Sequence, residues 1–223
     1  MTPLLGKACK VNQSIDFFWS IPMIESRFKT LQEPIPYAER EADPLEEHTR
    51  STSVLLDGKF IQVCRDEVTL PDGRESFRVY LTHPGAAAMI ALYEDGTILL
   101  ERQWRHPVRQ SFWEIPAGKL DPNESELDCA KRELAEECGV SAKCWTRLGV
   151  IRNAIGYSSE HIAIYLAEEL EEGEQHLDPG EFLEVYRVPL ESAVAMARDG
   201  RITDVKTITA IFWLNELLKV RKL

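Results

Sequence analysis

The sequence predicts an α/β sandwich preceded by a small antiparallel β-sheet, and three observations carry that expectation. Residues 51–83 hold β-rich runs broken at Asp-Gly pairs, the pattern of consecutive hairpins. Residues 84–188 interleave strand-like apolar runs with one strongly marked helix near 124–138, and two further helical stretches close the chain. A length of 223 residues is enough for one substantial core with a small second unit. The hydrophobic share of 44% and charged share of 28% are those of an ordinary globular protein.

Taken in order, residues 1–50 read as an extension or arm. The stretch from Pro34 to Arg50 is polar, contains three prolines and has no steady periodicity. Met23 is an alternative start. The apolar run Ile15–Ile24 is interrupted by Asp16 and Pro22 and is followed by no small-residue cleavage site, so it is not read as a secretory leader. From Ser51 the texture changes. Ser53–Cys64 is two β-rich runs about Asp57-Gly58, and Val68–Thr82 is a second pair about Asp72-Gly73. This sheet of residues 51–83, too short to bury its own faces, is expected to serve dimerisation. Residues 84–223 form the main domain. Ala86–Leu92 and Thr97–Gln103 read as buried strands joined at Asp95-Gly96. Further strands fall near Trp145–Ile151, His161–Ala167 and Phe182–Val188, with helices over about 190–199 and 204–219 separated at Asp199-Gly200.

The helix near 124–138 carries the chemistry. Asn123 is placed to cap it, with Glu126 three residues on completing a capping box. Leu127, Ala130, Leu134 and Cys138 recur as one apolar face, Cys129 lies elsewhere on the helix, and Gly139 ends it. Glu133, Glu136 and Glu137 share a face beside the apolar one. Three carboxylates at that spacing repel at neutral pH, and a divalent cation between them relieves the repulsion. Hard oxygen donors select Mg²⁺ or Mn²⁺. Arg132 stands beside the cluster, placed to grip one glutamate bidentately. Glu-rich helix faces are usually only solvated. Here Gly118, Glu124, Arg132 and Gly139 stand in fixed register with the three glutamates, and that favours the metal site.

The remaining composition narrows the function. A net charge of −11 opposes broad nucleic-acid or anionic-membrane binding, yet leaves room for a nucleotide met by a cation and local arginines. The five cysteines are odd in number and form no CxxC pair, which fits a reducing, cytoplasmic setting. The five histidines lack ligand spacing, and no apolar run approaches the length needed to cross a membrane.

Written out, the decisive run is Gly118, five residues, Glu124, seven residues, Arg132-Glu133-Leu134, one residue, Glu136-Glu137, one residue, Gly139-Val140. It resembles the Nudix box at every constrained position. LPDG at 70–73, HPGA at 83–86, RQWR at 102–105, WEIPAGKLD at 113–121 and GRITDVKT at 200–207 extend the resemblance to the ADP-ribose pyrophosphatase branch of that family. The resemblance spans roughly residues 50–215 and implies an α/β/α sandwich with a mixed sheet. It also implies a homodimer in which the small sheet is exchanged and both subunits contribute to the pocket. Ala117, through its carbonyl, with Glu133, Glu136 and Glu137, is then the expected metal set, and Arg132 and Glu136 join the catalytic group. Arg78, Arg105, Glu114 and Gly156 are the expected substrate contacts, because arginine suits phosphate and stacked adenine.

Two positions depart from the branch pattern. Ile155 stands where members carry a proline in the loop after the box. The catalytic base, borne on a mobile acidic loop in the branch, maps best to Glu181 in LDPGEF and second to Glu160. The activity implied is Mg²⁺-dependent cleavage of a nucleoside diphosphate sugar, foremost ADP-ribose to AMP and ribose 5-phosphate, with GDP-mannose the alternative within the class. A non-catalytic nucleotide-sugar sensor is disfavoured, since such regulators usually lose box glutamates and this chain keeps them.

Overall fold

The computed structural model describes residues 43–221. The expectations for the arm, for Met23 and for Ile15–Ile24 lie outside the described residues. The chain divides into Met1–Asp43 and Pro44–Leu223, and all that follows belongs to the second unit.

The first three strands, β1 (His48–Asp57), β2 (Gln62–Thr69) and β3 (Glu75–Thr82), form an antiparallel sheet in that order. Both Asp-Gly turns fall where expected, and Gly73 adopts φ +84, a left-handed conformation that glycine enters without cost. β1 begins three residues before the expected boundary, because polar His48 and Thr49 join the β2 ladder, Thr49 Oγ1 also donating to Asp66 Oδ2 at 3.3 Å, and leave no apolar alternation to read. The end of β3 is tied to the loop that precedes the sixth strand of the main domain's order. Leu81 N–H donates to the Tyr157 carbonyl at 2.8 Å, and Ser159 N–H donates to that of Leu81 at 2.9 Å.

The main domain follows with β4 (Ala86–Ala91), β5 (Thr97–Arg105), a 3₁₀ turn at His106–Val108, β6 (Gln110–Glu114) and β7 (Ala117–Lys119). Then come α1 (Glu126–Cys138), β8 (Val140–Ile151), β9 (Ile162–Glu172), β10 (Leu183–Pro189), α2 (Leu190–Arg198) and α3 (Val205–Arg221). One sheet runs β7-β4-β9-β8, with β4 parallel to β9 inside otherwise antiparallel pairing; the other runs β10-β5-β6. This is the expected mixed sheet.

The two faces of β4 and β9 explain the sandwich. Ala86, Ala88 and Ile90 join Ile162, Ile164 and Leu166 in a core closed by Ala193 and Val194 of α2 and Ala210, Ile211 and Leu214 of α3. Ala87, Met89 and Ala91 join Ala163, Tyr165 and Ala167 in a second core closed by Cys129, Ala130 and Leu134 of α1. A strand covered on both faces needs apolar residues at every position, which is why AAAMIA lacks alternation.

Several details differ from the sequence expectation. α1 starts at Glu126, not beside Asn123: Ser125 is the cap, its Oγ accepting from Asp128 N–H at 3.1 Å. Asn123 instead takes φ +66 in the preceding turn, a conformation its short amide tolerates. The buried stripe of α1 includes Cys129, while Leu127 and Cys138 are only partly buried. β6 and β7 have five and three residues, too few for a period to show. β8 and β9 extend to Val140 and Glu172: Val140 belongs to the second core, while Ser141, Glu171 and Glu172 carry the ladder into solvent.

Candidate active site

A cleft of about 1120 Å³ opens beside β7, between α1, the end of β5, the loops at 153–160 and 178–181, and the N-terminus of α3. Its floor is set by one close approach. A Cβ placed on Gly118 would stand 1.7 Å from Glu133 Oε1, so only glycine lets α1 lay this carboxylate against β7. Glu137 is 3% exposed, and its Oε2 accepts from Ala117 N–H at 2.9 Å. Glu136 is the most exposed of the three.

Arg132 braces this group. It grips Glu124 bidentately, Nε to Oε1 at 2.8 Å and Nη2 to Oε2 at 2.9 Å. Its Nη1 then donates to Glu133 at 2.8 Å and Glu136 at 3.0 Å. The expected bidentate partner is thus Glu124, whose carboxyl is pulled down to about 2 by the Arg132 hydrogen bonds. The other carboxylates are less well balanced. Burial pushes the Glu137 carboxyl far above its usual range, with Glu101, Glu133 and Glu181 adding repulsion. Burial also raises Glu133, against the pull of Arg132.

A divalent cation fits this donor set. Every side-chain donor is a hard oxygen, and negative charge is crowded where one arginine cannot neutralise it. As oriented, Glu133 and Glu136 turn to Arg132 and Glu137 to Ala117 N–H. Among the described residues no three His, Cys, Asp or Glu side chains converge as ligands.

The close packing at Gly118 gives a direct test. Gly118→Ala is expected to displace Glu133 and lower turnover by about 10²-fold, the scale of a 1 Å misplacement at a reacting centre, with the fold retained. Steady-state kinetics showing near-normal kcat for a folded Gly118→Ala protein would contradict this account of the floor.

The cleft wall holds Arg105 and Glu114. Arg105 Nε and Nη2 donate to Glu114 Oε1 and Oε2, each at 2.7 Å. Glu114 also accepts from buried Lys206 Nζ, which donates to Asp204 Oδ2 at 3.0 Å. Against the cost of burial, these two cations hold the Glu114 carboxyl below its usual range. Asp204 caps α3 by accepting from Thr207 N–H at 3.0 Å, while Thr207 Oγ1 accepts from Ile115 N–H at 2.8 Å.

The two candidate bases face different groups. Glu181 lies in the turn behind Pro179-Gly180, where Gly180 takes φ +92, and its charge reaches Glu101, Glu133 and Glu137. Glu160 instead accepts from Asn153 Nδ2 at 3.1 Å and stands 3.8 Å from His83 Nε2. His83 Nδ1 accepts from Gly85 N–H at 3.1 Å, so the neutral ring carries its proton on Nε2, toward Glu160. Burial lowers the His83 pKa, which favours that neutral form.

The structure therefore brings Ala117, Glu133, Glu137, Arg105, Glu114, Glu160 and Glu181 to one cleft, whereas Glu136 and Arg132 do not line it and connect to it through the Arg132 bonds to Glu133 and Glu136. Arg78 and Gly156 are not among its lining residues within one chain, and Arg78 pairs with Glu47 on the exposed small sheet. Sequence reasoning missed Lys206, Asp204, His83, Lys119 and Phe60, which also line the cleft. It also missed Glu101, 3% exposed behind Glu137, although a glutamate closing the apolar run Ile98-Leu99-Leu100 was a visible signal.

Glu133 and Glu137 of α1 share this cleft with the turn that carries Glu181. The family model of the NUDIX domain matches residues 82–210, and the chain belongs to that family as a Nudix hydrolase. It is 38% identical over 182 residues to the ADP-ribose pyrophosphatase of Bacillus subtilis (strain 168), a match covering 80% of this chain and 98% of the relative. It is 35% identical over 172 residues to the methanol dehydrogenase activator of Bacillus methanolicus, covering 76% and 93% respectively. A solved structure, the crystal structure of ADP compounds hydrolase, matches with a TM-score of 0.68 over 79% of this chain and 96% of that one. At 23% identity this last likeness establishes the fold alone.

Proposed function

We propose that the protein cleaves the diphosphate bond of ADP-ribose, giving AMP and ribose 5-phosphate, with Mg²⁺ or Mn²⁺ as cofactor. The observation that carries this reading is the meeting of the α1 carboxylates, Arg105 and the Glu181 turn in one cleft large enough for a nucleoside diphosphate sugar. The near full-length similarity to an ADP-ribose pyrophosphatase supports the choice of sugar nucleotide. Glu133, Glu136 and Glu137 would hold the cation, with the Ala117 carbonyl as a further ligand. When bound, the ion supplies concentrated positive charge that neutralises the diphosphate and acidifies the attacking water.

The chain's own groups do the rest. Arg105 lies at the wall where a phosphate oxygen can take over its hydrogen bonds. Glu181 takes the proton from water as the new P–O bond forms and the bridging P–O bond breaks. That proton ends on the released phosphate, so the sum is one water consumed for two monophosphates. Arg132 keeps the glutamates aimed, while Glu160, Asn153 and His83 shape the opposite end of the cleft. Glu114 serves the substrate through Arg105. A panel of ADP-ribose, GDP-mannose and other nucleoside diphosphate sugars tests the assignment. ADP-ribose is expected to give the highest kcat/KM by at least about tenfold, the discrimination that one or two lost hydrogen bonds provide. A higher value for GDP-mannose would move the assignment to that substrate.

We further propose a homodimer built on the small sheet. Val54, Leu55 and Leu56 of β1 are 52–57% exposed, and Phe77 and Val79 of β3 add to an apolar surface that a monomer would leave to water. Arg78 on this sheet would then reach the partner's cleft. Light scattering after size exclusion is expected to give twice the chain mass at micromolar concentration. A monomer would remove both the interface and the substrate role of Arg78. The free Cys64, Cys129, Cys138 and Cys144 are compatible with a reducing, cytoplasmic setting.

A further inference from the structure

We infer that Lys206 is a positioning residue that frees Arg105 to bind substrate phosphate, by keeping Glu114 paired when Arg105 leaves it. The inference rests on the proposed contact between Arg105 and the diphosphate.

The geometry around Glu114 is the starting point. Its carboxylate is 5% exposed and receives both Arg105, as a bidentate fork, and Lys206, whose side chain is 8% exposed. Asp204 Oδ2 accepts from Lys206 at 3.0 Å, so two cations and two carboxylates form a neutral quartet. Arg105 is the outward member, with its side chain 44% exposed and facing the cleft.

A bidentate arginine–carboxylate pair normally satisfies both partners and leaves the arginine unavailable. Withdrawing Arg105 from a carboxylate this buried would strand an uncompensated charge, which is among the most costly changes in a protein interior. Lys206 changes the balance. Once Arg105 turns to a phosphate oxygen, Glu114 still holds the ammonium, and the remaining trio carries a single negative charge shared with Asp204. The substrate then gains an arginine without an orphaned carboxylate left behind.

Lys206 is also fixed in place by the backbone. Asp204, two residues earlier, caps α3 through Thr207, and Thr207 is joined to Ile115 beside Glu114. An ammonium held this way cannot follow Arg105 out into the cleft. That fixed position is what separates it from an ordinary surface pairing.

A double-mutant cycle on the full-length, metal-supplemented enzyme tests this. In the otherwise unchanged protein, Arg105→Ala should raise KM for ADP-ribose by about 10- to 100-fold, the worth of charge-assisted hydrogen bonds. Lys206→Met should raise KM similarly, because Arg105 stays locked on Glu114, while Lys206→Arg should restore it. In the Lys206→Met background, adding Arg105→Ala should change KM by no more than a few fold. Adding Glu114→Gln to Lys206→Met should bring KM back toward normal, since no buried charge then holds Arg105. If Lys206→Met does not fold, Lys206→Gln, which keeps a donor and loses the charge, takes its place in every arm. Multiplying effects of Arg105→Ala and Lys206→Met, or no rescue by Glu114→Gln, would overturn the inference and leave the substrate reading standing. An unchanged KM in Arg105→Ala alone would instead remove the Arg105 contact, and this inference with it.

Discussion

Glu137→Gln is expected to reduce kcat by about 10³-fold or more at saturating Mg²⁺, the scale of removing a preorganised charged group from a reacting centre. Glutamine fills the same volume, and its carbonyl oxygen can still accept from Ala117 N–H, so the α1–β7 contact survives. What disappears is the negative charge that would hold the cation. The same charge is a burden on the protein without metal, because burial and neighbouring carboxylates disfavour it. Glu137→Gln should therefore melt no lower than the unsubstituted protein in the presence of a chelator, and should lose most of the stabilisation that added Mg²⁺ gives. Kinetics and thermal melts with and without Mg²⁺ check both halves. A folded variant with kcat within tenfold of normal would remove Glu137 from the metal set.

Glu181→Gln is expected to lower kcat by about 10²- to 10⁴-fold, the usual contribution of a positioned base, with KM changed little. The asymmetry between the two loop glutamates motivates this. The charge of Glu181 acts on Glu133 and Glu137, whereas Glu160 is occupied with Asn153 and His83. Glu160→Gln should accordingly cost less in kcat and show more of its effect in KM. In the proposed mechanism the Pro179-Gly180 turn, with Gly180 at φ +92, is the hinge by which Glu181 would approach the diphosphate. A nearly silent Glu181→Gln beside a severely impaired Glu160→Gln would transfer the base to Glu160.

The parts legible in the sequence were those written in local spacing. The box on α1, the strand runs of β4 and β5, and the Asp-Gly turns of the small sheet are each fixed by residues within one or two elements. The parts that were not legible depend on contacts between distant residues. Lys206 reads as an ordinary charge at the start of a helix, and only the fold sets it against Glu114, 92 positions away. Ser125 displaced Asn123 as the cap because the turn at 121–124 closes on itself, Asp121 N–H donating to Glu124 Oε2 at 2.9 Å. Arg132 takes Glu124 as its bidentate partner, a residue that lies ahead of the helix, so helical spacing did not show the pairing. Cys129 entered the core because α1 lays that side against β7, Cys129 Sγ donating to the Gly118 and Lys119 carbonyls at 3.5 and 3.4 Å.

The proposed activity is hydrolysis of the ADP-ribose diphosphate by the glutamates of α1 with a divalent cation. Its most direct test is chromatographic resolution of the products from chelator-treated protein, before and after Mg²⁺ or Mn²⁺ is restored. One AMP and one ribose 5-phosphate for each ADP-ribose consumed, only after metal is returned, is the predicted result. Turnover that persists unchanged in excess chelator, or none with metal at any tested concentration, would contradict it.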